Sequence, residues 1–424
     1  MAAPRVVAVL RRTESTVLAT FMRWCARWTD AGKALKNIVT NTPRRSSATA
    51  CAKLALMKGT PNPSPSGNFA PSTHVPLAPL TTLRLGGAAA FFCEAAREQD
   101  VITAVAWAKA KGVPLFVLGG GSNVVIADAG FDGLVMHMAL RGLVPTITME
   151  GPDVHLTVAA GEPWDQFVAR ATALGWAGVE CLACIPGQVG STPIQNVGAY
   201  GQDVSETVNH IRVLDRTSLS VQRLEAADLR FEYRNSVLRN HPDRFVVLDV
   251  TFKLRAGGAP CVRYAELQKA LAAVAKPTLA DVHAKVLELR RRKSMVLDPD
   301  DPNTRSAGSF FTNPIVDAKV AAHVLQSLVQ PAAEMPQWPQ SNGRIKLSAA
   351  WLIEKAGFFR GHRHGPVGIS SAHALALVHD GSGRTADLLD LARNIRQGVL
   401  QQFGVNLQPE PMLIGDAWDQ GPPA

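Results

Sequence analysis

Ile185-Pro186-Gly187-Gln188-Val189-Gly190-Ser191-Thr192-Pro193-Ile194-Gln195-Asn196-Val197-Gly198-Ala199-Tyr200-Gly201 is the stretch on which the reading of this chain turns. Four glycines and two prolines in 17 positions exclude a regular helix or the interior of a sheet. Backbone this bare lets a flat ligand lie close against it, with amides bonding the ring edges. A long glycine-rich surface loop is the competing reading. It explains poorly why Ile185, Val189, Ile194 and Val197 are interleaved throughout.

Upstream, Gly119-Gly120-Gly121-Ser122-Asn123 is a second bare loop. Glycines allow successive N–H groups to converge on an anion the size of a diphosphate. Val124-Val125-Ile126 follows, and β-branched residues disfavour the helix that a nicotinamide-binding G-x-G-x-x-G turn opens. Taken alone, this loop is equally compatible with a tight turn that holds nothing.

Around these loops the pattern is mixed α+β, with the folded body beginning near Thr81. Asp100 is placed to cap a helix over Val101–Lys111, followed by a short buried strand at Pro114–Leu118. Strands are expected at Leu134–Met138, His155–Ala159 and Phe245–Phe252, and a helix at Pro163–Leu174. Thr278 with Asp281 forms a capping pair for a helix ending in Arg290-Arg291-Arg292-Lys293. Leu388, Leu391, Ile395 and Val399 share one helical face, and a last strand is expected over Val405–Ile414.

The bulk numbers bound the function. A chain of 424 residues calls for two or three domains. No stretch approaches the roughly 18 apolar residues of a membrane span. The net charge of +9 suggests a nucleic-acid or membrane ligand, yet ten Lys/Arg against Glu14 and Asp30 put +8 of it in residues 1–56. The other 368 residues carry only +1, so nucleic-acid and membrane partners have no electrostatic support. Residues 1–56 are Ala-, Arg-, Ser- and Thr-rich, as in a transit peptide; an upstream extension of a chain starting at Met57 is the preferred reading. Residues 1–78, ending in a Pro/Ser-rich linker, are expected to be disordered. Six cysteines do not make a disulfide scaffold, and Cys181-x-x-Cys184 reads as chance placement in a reduced cytoplasm. His362 and His364 lack a third ligand nearby, so no metal is expected.

The two loops together resemble the FAD-binding signatures of the UDP-N-acetylenolpyruvoylglucosamine reductases (UDP-N-acetylmuramate dehydrogenases). Three later segments resemble the same family: Tyr233-Arg234-Asn235-Ser236, Ala307-Gly308-Ser309-Phe310-Phe311-Thr312-Asn313-Pro314, and Pro409-Glu410. The five motifs run in family order over about residues 79–416. The implied fold is a two-lobed FAD-binding module of the vanillyl-alcohol-oxidase/PCMH type, with lobes at 79–147 and 148–275. A C-terminal α+β substrate domain would follow at 276–419, its last strand returning to the first lobe.

The resemblance also implies chemistry. NADPH would reduce non-covalently held FAD, and hydride would then pass to the enolpyruvyl ether of UDP-N-acetylglucosamine. That step requires a cation for the substrate carboxylate, a proton donor, and a group that polarises the developing enol. By motif matching these are Arg234, Ser309 and Glu410 in turn. FAD would be held by Gly119, Gly120, Gly121, Ser122, Asn123, Ile185, Pro186, Gly187, Ser191, Ile194, Gly198 and Arg290. Substrate would be held by Tyr200, Tyr264, Lys293, Asn313, Arg360 and His373. Tyr264, within Arg-Tyr-Ala-Glu-Leu, resembles the type that closes a tyrosine loop over the substrate. A monomeric cytoplasmic enzyme of peptidoglycan-precursor synthesis is implied.

The sequence departs from the family pattern at Asn235, where an acid is usual, at Thr312 for a lysine, and at Pro411-Met412 for Val-Arg. Two other classes compete: another FAD-linked oxidase of the same fold, and a nucleotide-sugar-binding protein without turnover. Many such oxidases tether FAD through His or Cys, and neither loop contains a His.

Overall fold

The computed structural model describes residues 69–327 and 335–415. Its first sheet has four strands, in the order Ser72–Pro76, Ala88–Ala95, Phe131–Met138 and Leu115–Leu118. The first pair is antiparallel, and the other two pairings are parallel. A parallel pairing needs a crossover, and the helix Glu98–Lys111 supplies one. It buries Val101, Ala104, Val105 and Ala108, one face at helical spacing, and stops at Gly112 with φ 65°. Asp100 is not the N-cap expected of it. It stands three residues inside, where its carboxylate accepts from the Arg97 N–H at 2.9 Å.

The second sheet is antiparallel, in the order Ser220–Glu225, Val208–Asp215, Phe245–Ala256, Asp153–Ala159 and Leu143–Glu150; Trp176–Ala177 pairs with the end of Phe245–Ala256. Seven consecutive buried residues, Val246–Phe252, mark that strand as covered on both faces. One cover is the helix Trp164–Ala173, whose Trp164 and Phe167 rings lie 5.8 and 4.8 Å from Phe252. The helix Leu279–Arg292 has the expected Thr278/Asp281 capping box and packs against Trp164–Ala173 and the Glu180–Leu182 turn.

The C-terminal part is built on a second core, in which Phe310, Phe311, Leu352 and Ile369 meet Leu388, Leu391, Ile395 and Val399 of the helix Thr385–Phe403, joined by Leu83, Leu85 and Val125 from earlier in the chain. Two three-stranded sheets flank it. The last strand is only Met412–Ile414, not Val405–Ile414, and pairs in parallel with Val124–Ile126. Pro409 and Pro411 have no N–H to donate, so the ladder cannot extend through them. The basic extension and most of the linker lie outside the described residues, but the linker's end is ordered. Ser72–Pro76 pairs with Ala88–Ala95 and Leu77 is buried, so the folded body begins before Thr81 and the disorder expected up to residue 78 does not hold there. Among the described residues no helix is long and apolar enough to cross a membrane, and no cluster suits a metal ion.

Candidate active site

The two glycine-rich loops meet backbone to backbone. A Cβ on Gly120 would stand 2.7 Å from the Gly187 Cα, and one on Gly119 would stand 2.7 Å from Ser191 Oγ. Gly121 and Gly187 have φ of +63° and +129°, which side chains with a Cβ rarely adopt. Ser122 Oγ donates to the Pro186 carbonyl at 2.8 Å and ties the loops together. Further along, Ile194 accepts from Ser236 Oγ at 2.6 Å through its carbonyl, and Ile185 and Ile194 remain half-buried. Two buried polar atoms here lack any partner: Gln188 Oε1, beside Gly119, and Nε of Arg290. Arg290 otherwise donates to the Met295 carbonyl at 2.8 Å. Orphaned buried groups are costly, and a bound ligand with donors and acceptors would satisfy them. FAD fits such a cradle: its diphosphate suits the glycine amides, and its ring edges suit the orphaned acceptor and donor.

A second cluster gathers residues from three distant motifs. Arg234 Nη2 donates to the Gly198 carbonyl at 2.6 Å, and its Nε lies 3.1 Å from Glu410 Oε1. That contact is an ion pair whose N–H is off line, since Nε has no aligned acceptor. Desolvation raises the Glu410 pKa, opposed by the Arg234 and Arg239 guanidinium groups, and its side chain is 13% exposed. The Glu410 N–H donates to the Phe310 carbonyl at 2.8 Å, which lays the backbone of Phe310 and Phe311 alongside Pro409 and Glu410, while Ser309 bridges Ala376. Ser309 is half-buried, and its hydroxyl makes no hydrogen bond among the described residues.

A third cluster contains most of the substrate candidates. The Tyr200 and Tyr264 rings meet edge to face at 5.6 Å, and Lys293 Nζ sits 5.7 Å from the Tyr200 ring centre. Lys293 also pairs with Glu266 at 2.6 Å. His373 lies close enough to Lys293, Arg290 and Arg360 for their charges to add to burial in lowering its pKa to about 4. Two candidates are otherwise engaged. Asn313 Oδ1 accepts from the Ala349 N–H at 2.9 Å, and Arg360 pairs with Glu354 at 3.3 Å with its side chain 58% exposed.

Sequence reasoning missed several polar groups. Arg239 donates to Gln195 Oε1 and to the Glu410 carbonyl, both at 2.9 Å, and so clamps the 185–201 loop to the last strand. Gln195 Oε1 also accepts from Asn123 Nδ2. Lys346 Nζ stands 4.6 Å over the Tyr233 ring, its pKa lowered by burial and then by Arg234. Asp203 approaches Arg234 to 4.0 Å. The only signal for Arg239 was its place three residues after Ser236 in a quoted motif.

Family comparison places this geometry. Residues 89–221 match a FAD-binding domain, and residues 300–414 match the UDP-N-acetylenolpyruvoylglucosamine reductase C-terminal domain. A UDP-N-acetylenolpyruvoylglucosamine reductase of Thermobifida fusca is 50% identical over 81% of this chain and 97% of its own. That of Saccharopolyspora erythraea is 53% identical over 80% of this chain and 94% of its own. The chain belongs to the UDP-N-acetylenolpyruvoylglucosamine reductase family. The crystal structure of the Thermus caldophilus reductase covers 80% of this chain and 98% of its own, with a TM-score of 0.54 and 23% identity, and shares the fold. The α+β class and the FAD-binding module followed by a C-terminal reductase domain are therefore those of the family.

Proposed function

We propose that this chain catalyses the NADPH-dependent reduction of UDP-N-acetyl-3-O-(1-carboxyvinyl)-glucosamine to UDP-N-acetylmuramate, a step of peptidoglycan-precursor synthesis. FAD held by the two glycine loops would supply the hydride chemistry, with NADPH as the donor and the alkene as the acceptor. The chain's own groups handle the charge and the proton. Hydride at the terminal vinyl carbon leaves negative charge on the next carbon, delocalised into the carboxylate. Arg234 holds that carboxylate with its forked donors. Glu410, 3.1 Å from Arg234, is placed to orient and polarise the developing enol. Ser309 delivers the proton to carbon, completing the lactyl ether. Tyr200, Tyr264, Lys293 and His373 line the approach for the nucleotide diphosphate, with Arg360 at its edge and Asn313 positioning the Ala349 turn.

One observation carries the reading: Arg234 and Glu410, 176 positions apart in the chain, stand 3.1 Å apart beside the glycine cradle. The enzyme is proposed to act as a monomer. The use of NADPH and a sugar nucleotide supports a cytoplasmic place of action. Within this reading the proposed division is into lobes at 79–147 and 148–275 and a substrate domain at 276–419, with the strand Ser72–Pro76 added to the first lobe. The test has two stages. Purified protein should be yellow and should bleach with NADPH under anaerobic conditions. Added enolpyruvyl sugar nucleotide should then restore the colour. Recovery with oxygen alone would favour a flavin oxidase instead.

A further inference from the structure

The Cys181-x-x-Cys184 spacing pairs the wrong sulfurs. Cys184 has a left-handed backbone (φ 58°) and lies near Arg290 and Arg291. Cys181 Sγ instead donates to the Cys261 carbonyl at 3.1 Å, 80 positions away. Both backbones are held by one buried network. Glu180 Oε1 accepts from the Cys261 N–H at 2.7 Å, Gln202 Oε1 accepts from the Cys181 N–H at 2.9 Å, and Gln202 Nε2 donates to Glu180 Oε1 at 3.3 Å. The two thiols differ in environment. Cys181 is buried, and burial first, then the adjacent Cys261 thiol, hold its pKa high. Cys261 is only half-buried, and Arg263 Nε donates to its Sγ at 3.1 Å while Arg263 Nη2 pairs with Glu206. A cation bonded to an accessible sulfur is the setting in which cysteine acts as a nucleophile.

We propose that Cys261 and Cys181 form an oxidant-responsive dithiol, with Cys261 attacking a hydroperoxide and Cys181 resolving the product as a disulfide. The Cys261 sulfur attacks one oxygen of hydrogen peroxide; the O–O bond breaks, hydroxide leaves and takes the thiol proton, and a sulfenic acid and one water result. The Cys181 sulfur then attacks the sulfenic sulfur. The S–OH bond breaks, and hydroxide departs with the Cys181 proton as a second water. The two sulfurs lose two electrons, and the peroxide gains them. The site is placed to matter. Cys261 lies three residues before Tyr264, whose ring packs on Tyr200, and its Sγ lies 3.8 Å from the Gly201 carbonyl. A disulfide would pin the base of this tyrosine pair to the Glu180–Leu182 turn and slow any movement of Tyr264. The effect on turnover rests on the function proposed above, whereas the crosslink does not.

The experiment treats the flavin-loaded enzyme with hydrogen peroxide and maps its peptides by mass. The expected result is a Cys181–Cys261 crosslink lacking two hydrogens, a reversible loss of turnover, and recovery of both with dithiothreitol. Cys184→Ser should behave as wild type, whereas Cys261→Ser should keep its turnover under peroxide and form no crosslink. A Cys181–Cys184 link, or Cys261 recovered unchanged or only as sulfinic acid, would overturn the pair. Full turnover in fully crosslinked enzyme would overturn its role as a switch.

Discussion

Arg234 has a φ of 53°, a left-handed conformation costing a residue with a Cβ about 1 kcal/mol. The turn is held by its neighbours: the Glu232 and Asn235 backbones bond each other, and Ser236 Oγ bonds Ile194 and caps Val237–Asn240. The guanidinium is thereby aimed at the Gly198 carbonyl and Glu410. Ser309, by contrast, carries a hydroxyl with no hydrogen bond among the described residues, which under the proposed function leaves it available to a substrate carbon. Ser309→Ala should leave flavin bleaching by NADPH within about twofold and slow reoxidation by the enolpyruvyl substrate by about 100-fold or more, the usual size of a lost proton donor. Stopped-flow absorbance separates the two half-reactions, and equal loss in both would make the serine structural. His373 gives a pH prediction. Its pKa is lowered from 6.5 to about 4, by burial first and then by Lys293, Arg290 and Arg360, with Glu266 opposing. Between those values the unfolded chain binds a proton that the folded chain refuses. Stability is therefore full above about pH 6.5 and declines as the pH falls toward 4. His373→Asn should remove at most about 3 kcal/mol of that decline, less where solvent reaches the ring. Calorimetric Tm against pH would show parallel curves if the histidine played no part.

Among the elements, the Gly119–Gly121 turn leaves no room for added atoms. Gly120→Ala would drive its Cβ into Gly187 backbone at 2.7 Å, and backbone there cannot step aside because Ser122 already ties the loops. Gly112, at the end of the helix Glu98–Lys111, has φ +65° but open space around it. Gly112→Ala should therefore cost about 1 kcal/mol through backbone strain alone and keep its flavin. Gly120→Ala should bind flavin at least about tenfold more weakly. The ratio of flavin to protein absorbance on purification distinguishes them, and equal yellow colour in both would refute the cradle. This contrast also shows what the sequence could convey. The Thr278/Asp281 capping box and the buried face of Thr385–Phe403 depend on residues within a few turns, and both formed where the sequence placed them. The strand Val405–Ile414 was overextended because tertiary pairing with Val124–Ile126 selects only Met412–Ile414. Arg239 and Lys346 went unread for a related reason. Their partners Glu410 and Tyr233 are remote in sequence, and an isolated basic residue resembles any solvated one until the chain folds.

Across the whole molecule, charge and architecture separate cleanly. Residues 1–56 contain +8 of the net +9, while the part that builds both glycine loops, the Arg234–Glu410 pair and the tyrosine pair begins later in the chain and is close to neutral. The hydrogen bonds and ion pairs given above for the site residues are all made among the described residues. Under the proposed function a nearly neutral body relies on local cations such as Arg234 and Lys293 to hold a sugar nucleotide, not on a long-range field, so removing the N-terminal positive charge should alter encounter rather than chemistry. Deleting residues 1–56 should therefore leave kcat unchanged and keep the flavin. KM for the anionic substrate should shift by less than about threefold at physiological salt, where charges beyond about 8 Å are screened. Isoelectric focusing should show the truncated protein falling from a pI near 9.4 toward neutrality. Steady-state kinetics at low and moderate ionic strength would check the argument directly. A colourless truncated protein, or a KM that rises steeply in both salts, would mean that the basic segment takes part in building the site.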